Sequence, residues 1–168
     1  MVSKAANIGL RVWELLCAVI ITSLIGNMIA TAFAGNSSMV NYCMFAAVFA
    51  LLTLLYLLPT AVMERFSFPM FNMAFDGLNV LFWFVAAVAL PAYLGVHSCS
   101  NVAYTRTNHI TNGSPNTEKR CREAQASVAF FWFGWVAFVA SLALSIIGGR
   151  GNVNMRGGLR SGPAMSQV

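Results

Sequence analysis

Four stretches of this chain stay apolar for about twenty residues or more, and no other feature constrains the fold as tightly. They run from about Val12 to Ala34, Val40 to Leu58, Phe71 to Val96 and Ala124 to Ile147. As a helix rising about 1.5 Å per residue, each can cross the roughly 30 Å hydrocarbon core of a bilayer. The expectation is an all-α, integral-membrane bundle of four transmembrane helices. Composition agrees: 58% of residues are hydrophobic and 9% charged, against about 25% charged in an ordinary soluble domain. With 168 residues there is room for one compact bundle, assigned to residues 1–148. Residues 149–168 are Gly-containing, carry Arg150, Arg156 and Arg160, and lack the apolar content to fold, so a disordered cytoplasmic tail is expected there.

The connections set the topology. Gly35 to Met39 is a tight uncharged turn, Pro59 ends or kinks the second run, and Thr60 to Pro69 is short enough to join antiparallel neighbours. Pro91 is expected to bend the third helix. Between the third and fourth runs lies the one long hydrophilic interruption, residues 97–123. It holds both histidines, two of the four cysteines and four of the ten Lys/Arg residues. The remaining six (Lys4, Arg11, Arg65, Arg150, Arg156 and Arg160) fall on the opposite side of a four-span topology. That bias places both termini in the cytoplasm and the 97–123 loop outside. Ala32-Phe33-Ala34 has the pattern of a signal-peptidase site, but the run before it exceeds a usual signal core, so an uncleaved anchor is expected.

Cys99 and Cys121 stand at the two feet of this loop, as a staple in an oxidising compartment requires, while Cys17 and Cys43 fall in opposite halves of the bilayer and read as free thiols. His97, Cys99, His109 and Cys121 could be assembled into a zinc set, yet their spacing fits no familiar finger or ribbon, and no metal or cofactor is assigned. Asn36 and Asn112 each begin an N-x-Ser sequon. Metalloprotease, nucleophile-elbow, P-loop and C-x-x-C patterns are all missing from the sequence, so no catalytic residue is assigned. The net charge of +5 does not point to nucleic acid, because the basic residues are scattered and have no stacking aromatics among them. Anionic lipid head groups suit them better.

Polar residues inside the runs are the candidate sites. Asn72, Asp76, Asn79 and Trp83 follow one another at helical spacings on one face. An ionised carboxylate in hydrocarbon costs about 2.5 to 3.5 kcal/mol on insertion scales, so this face should look into the bundle. Asn72, Asp76 and Asn79 read as an intramembrane polar strut; a proton or ion relay is the competing role, and it would want further acidic partners. Arg11 and Glu14, three residues apart at the start of the first run beside Trp13, read as an interfacial ion pair. Small residues recur every fourth position as Thr22, Gly26, Ala30 and Ala34, and again as Ala137, Ser141, Ser145 and Gly149. Such strips let a neighbouring helix approach closely, within the monomer or between copies. Phe130 to Trp135 opens the fourth span with an aromatic belt, or else lines a lipid or sterol groove.

Several strings are more specific. Val40-Asn41-Tyr42-Cys43-Met44-Phe45-Ala46-Ala47-Val48-Phe49, His97-Ser98-Cys99, Cys121-Arg122, Ala124-Gln125-Ala126, Val128-Ala129-Phe130-Phe131, Asp76 with Asn79, and the terminal Ser166-Gln167-Val168 closely resemble the fungal non-classical export proteins, MARVEL-domain tetraspans. The resemblance covers nearly the whole chain. It implies a non-enzymatic plasma-membrane protein of the furrow-like eisosome compartment. Such a protein organises sterol- and sphingolipid-rich domains, reports lipid status, partners eisosome proteins and its own copies, and is linked to export of leaderless proteins. The competing class is a small-solute or ion transporter, which usually shows repeats with interrupted helices.

Overall fold

The computed structural model describes residues 4–33, 35–63 and 68–157, the last ten as backbone only. Its elements are α1 (Lys4–Ala30), α2 (Ser38–Val62), α3 (Pro69–Leu94), the short α4 (Val102–Thr107) and α5 (Thr117–Gly157). Four of these, α1, α2, α3 and α5, are long and apolar enough to cross a membrane. They alternate in direction and close a ring in which α1 and α3 each pack against both α2 and α5. Among the described residues the diagonal pairs, α1 with α3 and α2 with α5, come into no backbone contact. The bundle therefore has a loop end, where α4 and its flanking turns sit, and a tail end, where α1 begins.

The helices do not coincide with the apolar stretches: α1 and α3 stop short of Ala34 and Val96, and elsewhere the helices run past them. α1 starts eight residues before Val12, and α2 passes through Pro59 to Val62, with the Met63 N–H returning to the Pro59 carbonyl at 2.8 Å. Pro59 thus neither ends α2 nor needs to, since a single missing N–H leaves one carbonyl to satisfy. α5 begins inside the hydrophilic interruption at Thr117 and continues to Gly157. Residues 149–157, expected to be disordered, are helical: once a span is nucleated, each added residue extends it without a new nucleation cost. Residues 158–168 lie outside the described residues.

Lipid tails are as apolar as leucine, so burying apolar side chains between spans yields little solvation energy, and close packing has to supply the attraction. The sequence provides for it with alanines on facing helices: Ala46, Ala47 and Ala50 of α2 and Ala86 and Ala87 of α3 are completely buried. Tyr42, Phe45, Phe49 and Phe82 close the rim of the α2–α3 contact with ring pairs 5.2 to 6.2 Å apart. Val19, Leu52, Leu55, Leu81, Phe133 and Val136 point outward, where a bilayer would solvate them.

One large side chain fills the middle. Trp83 of α3 is fully buried, donates its indole N–H to the Ala46 carbonyl of α2 at 3.2 Å, and meets Phe131 and Phe138 of α5 edge-on at 5.2 and 5.0 Å. Its ring lies on Gly134, where a methyl group would overlap the six-membered ring. Thus Trp83 bridges α2 and α5, which never touch through their backbones.

Gly134→Ala should lower stability by about 1 to 3 kcal/mol, the usual cost of overpacking a filled core. Gly77→Ala, whose new carbon would meet nothing within 4 Å, should stay within about 0.5 kcal/mol of the parent. Unfolding titrations in detergent micelles measure both, and equal losses would refute the Trp83 contact.

Candidate functional site

The tail-end half of the bundle contains a cluster of charges that the sequence places apart. α1 buries a stripe made of Arg11, Glu14, Cys17, Ala18, Ile21, Ile25 and Met28, so Arg11 and Glu14 belong to the same face as the core aliphatics. α3 turns Asp76 inward and α5 turns Ser141 and Ser145 inward. The Arg11 guanidinium spans the α1–α3 diagonal and grips Asp76 with two parallel bonds, Nη1 to Oδ1 at 2.5 Å and Nη2 to Oδ2 at 2.7 Å. The same Nη1 donates to Glu14 Oε2 at 3.0 Å. Ser141 donates to Glu14 Oε1 at 2.6 Å, and Ser145 donates to Asp76 Oδ2 at 3.0 Å. Arg11 is 3% exposed and both carboxyl groups are wholly buried.

This arrangement corrects the reading of Arg11 and Glu14 as an interfacial pair. They do pair, but inside the bundle, because Asp76 on the helix across the diagonal is buried and demands a cation. The signal was present in the spacing: Glu14, Ala18, Ile21, Ile25 and Met28 follow at three and four, which a helical stripe extends back to Arg11.

Asn79, the next strut residue toward the loop end, turns to other partners. Asn79 is buried and donates its amide to Thr53 Oγ1 of α2 at 2.8 Å and to the Phe75 carbonyl at 2.9 Å. Asn72 is half-buried, one turn nearer the tail end. The small-residue strips also resolve differently. Ser141 and Ser145 are hydrogen-bonded within the monomer and Ala137 is buried, so that strip packs internally. Gly26 faces Met44 of α2, Thr22 is half-buried with its hydroxyl on the Ala18 carbonyl, and Ala30 is exposed at the end of α1. Ala34 lies outside the described residues, as do the surroundings of Gly149.

At the loop end a compact cap closes the bundle. Cys99 and Cys121 form a disulfide with their Cα atoms 5.6 Å apart, tying the start of the loop to the first turns of α5; Cys17 and Cys43 are free and buried. Gly95, at φ +74°, reverses the chain after α3 as only glycine does easily. Tyr104 of α4 donates its hydroxyl to the Leu94 carbonyl, and Asn108 donates to the Tyr93 and Leu94 carbonyls, both at 3.1 Å. These bonds satisfy acceptors that the end of a helix leaves open. Burial holds the Tyr104 phenol above its ordinary pKa.

Sequence reasoning missed Arg120. It is 2% exposed and donates to three acceptors: the Met28 carbonyl near the end of α1, the Ile110 carbonyl at 2.7 Å and Asn36 Oδ1 at 2.7 Å in the α1–α2 turn. Beside it Asn27 of α1 donates to Glu123 of α5 at 2.5 Å. One sequon asparagine, Asn36, is therefore engaged, whereas Asn112 is exposed. His97 stacks near Tyr104, and among the described residues no group of three or more His, Cys, Asp or Glu side chains is gathered to hold a metal.

A four-span ring with a stapled cap at one end and an ionic cluster in the other half is a membrane-associating bundle. The MARVEL family model, described as a membrane-associating domain, matches residues 4–144. Over 147 residues the chain is 38% identical to Non-classical export protein 2 of Saccharomyces cerevisiae, covering 87% of this chain and 82% of that protein. It is 37% identical over 149 residues to Non-classical export protein 2 homolog 1 of the same yeast, covering 88% and 83%. With Non-classical export protein 102 of Candida albicans it shares 39% over 168 residues, covering 96% and 97%. The chain belongs to the MARVEL-domain non-classical export protein family. No solved structure matches it.

Two outcomes test the site. Arg11→Gln should lower stability by about 3 to 5 kcal/mol, because it leaves two buried carboxyl groups without a cation, and Asp76→Asn should cost less, because Glu14 stays as the counter-ion of Arg11. The double variant should recover at least about 1 kcal/mol of the summed loss, and a strictly additive double-mutant cycle would deny the pair. Removing the staple with Cys99→Ser and Cys121→Ser should cost about 3 kcal/mol on the loop-entropy scale. Peptide mapping without reduction should recover the two parent cysteines in one linked species.

Proposed function

We propose that this protein is a non-enzymatic organiser of the plasma membrane, acting by lateral packing and lipid preference in sterol- and sphingolipid-rich eisosome domains, with both termini in the cytoplasm. Its role includes reporting lipid status and a link to the export of leaderless proteins, a link supported by the words non-classical export in the names of its relatives. The observation that supports this reading over a transporter is the filled interior. Trp83, Phe131, Phe138, Leu54 and Leu57 are at most 1% exposed and occupy the axis that a solute or ion would need. The polar cluster reaches no farther toward the loop end than this plug.

With the Ser141 and Ser145 strip engaged inside the monomer, lateral contacts fall to the outward face. The aromatic seam of Phe84, Trp132 and Trp135 between α3 and α5 has ring centres 5.5 to 6.4 Å apart, and Phe84 and Trp132 are exposed on the outer face. Contacts of this kind are weak singly, so assembly should follow bilayer thickness and composition.

In liposomes, fluorescently labelled protein should show energy transfer between copies that rises with sterol content, while solute and ion flux stays at the level of empty vesicles. Trp132→Leu should weaken that transfer without changing thermal stability. Saturable flux from protein that does not cluster in any lipid mixture would overturn the organiser in favour of a transporter.

A further inference from the structure

We propose that the Arg11–Glu14–Asp76 cluster is a proton-binding site that carries one proton, on Glu14 Oε1, and exchanges it only with the tail end of the bundle. This site stands whether or not the bundle organises lipid domains.

Charge counting comes first. Two carboxyl groups and one guanidinium share a space with no water access from the membrane, so full ionisation would leave one negative charge without a counter-ion in hydrocarbon. A proton removes that charge at the smallest steric expense.

Hydrogen-bond geometry then says which oxygen holds it. Asp76 accepts at both oxygens, Oδ1 from Nη1 and Oδ2 from Nη2 and Ser145, so a proton there would face another donor. Glu14 Oε2 likewise faces Nη1 at 3.0 Å and must accept. Glu14 Oε1 faces only the Ser141 hydroxyl, 2.6 Å away, and a hydroxyl can accept as well as donate. A neutral Glu14 donates from Oε1 to Ser141 Oγ, which accepts in place of donating. The step is proton uptake alone: tail-end water supplies it, the Oε1–H bond forms, and nothing is oxidised or reduced.

The surroundings of Glu14 leave few competitors. On α1 they are Arg11 and, one turn on, the Cys17 thiol; on α3, Asp76; on α5, the uncharged Ser141 and Ser145. On α2, Tyr56 packs against Phe75 of α3 and accepts from the Phe68 N–H, so it is turned toward α3. Cys43 of α2 precedes Met44, which lies against Gly26, about 18 Å along α1 from Glu14.

Access is one-sided. Toward the loop end, Cys17, Ala18, Ile21 and Trp83 are at most 1% exposed. Toward the tail end, Asn7 and Asn72 are half-buried and Lys4 is exposed, about 15 Å from Glu14 along α1. Such a dead end senses protons on one side and conducts none.

Infrared spectroscopy of the full chain in lipid bilayers tests this. At neutral pH the protein should show a carbonyl band from one buried protonated carboxyl group. Carboxyl-¹³C glutamate should shift the band, whereas carboxyl-¹³C aspartate should not, which requires no variant. Glu14→Gln should abolish it, and Arg11→Gln, which leaves two acids and no cation, should roughly double it. In oriented vesicles, a pH step at the tail end should titrate the band and a step at the loop end should leave it unchanged. A wild-type spectrum without the band, a band shifted by labelled aspartate, or titration from the loop end would each overturn the proposal.

Discussion

The bidentate contact between Arg11 and Asp76 is what the tail-end half of this bundle depends on. It joins the two helices that lie across a diagonal and have no backbone contact, so it sets how far apart α1 and α3 stand. Because a carboxylate in hydrocarbon must be paired or protonated, Asp76 fixes the rotation of α3, and Arg11 fixes that of α1. Ser141 and Ser145 then bring α5 into register, one on each carboxyl group. Three of the four spans are thereby oriented by five side chains. A network of this kind is a poor source of net stability, since desolvation offsets most of its attraction, but it strongly penalises every arrangement that leaves a member unpaired.

Trp83 does for the other diagonal what Arg11 does for the first. It reaches from α3 to the Ala46 carbonyl of α2 and lies on Gly134 of α5. One diagonal is held by charge and the other by shape. The two devices sit at different heights, which leaves the interior polar toward the tail end and dry from Trp83 to the cap. That division also separates the chemistry available to each end: a buried acid–guanidinium cluster on one side, a disulfide-tied cap with Arg120 at its centre on the other.

The four spans were legible because an apolar run of twenty residues has few alternatives in a bilayer. The inward face of α3 was legible because Asp76 cannot face lipid. Arg11 and Glu14 were misplaced because their position near the start of an apolar run suits an interfacial pair equally well; only the partner on α3, 65 residues away, decides. The role of Ser141 and Ser145 stayed open between the monomer and its copies for a related reason, since a small hydroxyl residue serves both as a notch for a neighbour and as a donor to a buried acid. Arg120 sat among four basic residues of a hydrophilic stretch, where nothing local distinguishes a buried cation from a solvated one. Its position on the stripe through Ala124, Ser127, Phe131, Phe138 and Ser141 was the available clue.

The position of Arg11 and Glu14 in the first span bears on how the protein is made. Sixty-five residues separate Arg11 from Asp76, which at ribosomal speeds is on the order of 3 to 13 s of synthesis. The serines that complete the cluster emerge later still, on the last helix. During that interval the first span must enter the bilayer with a cation whose final partner does not yet exist. Glu14, one turn away on the same helix, is the counter-ion already at hand. The local pair lets α1 insert alone, and the arrival of α3 then converts a provisional neutralisation within one helix into the permanent one between two.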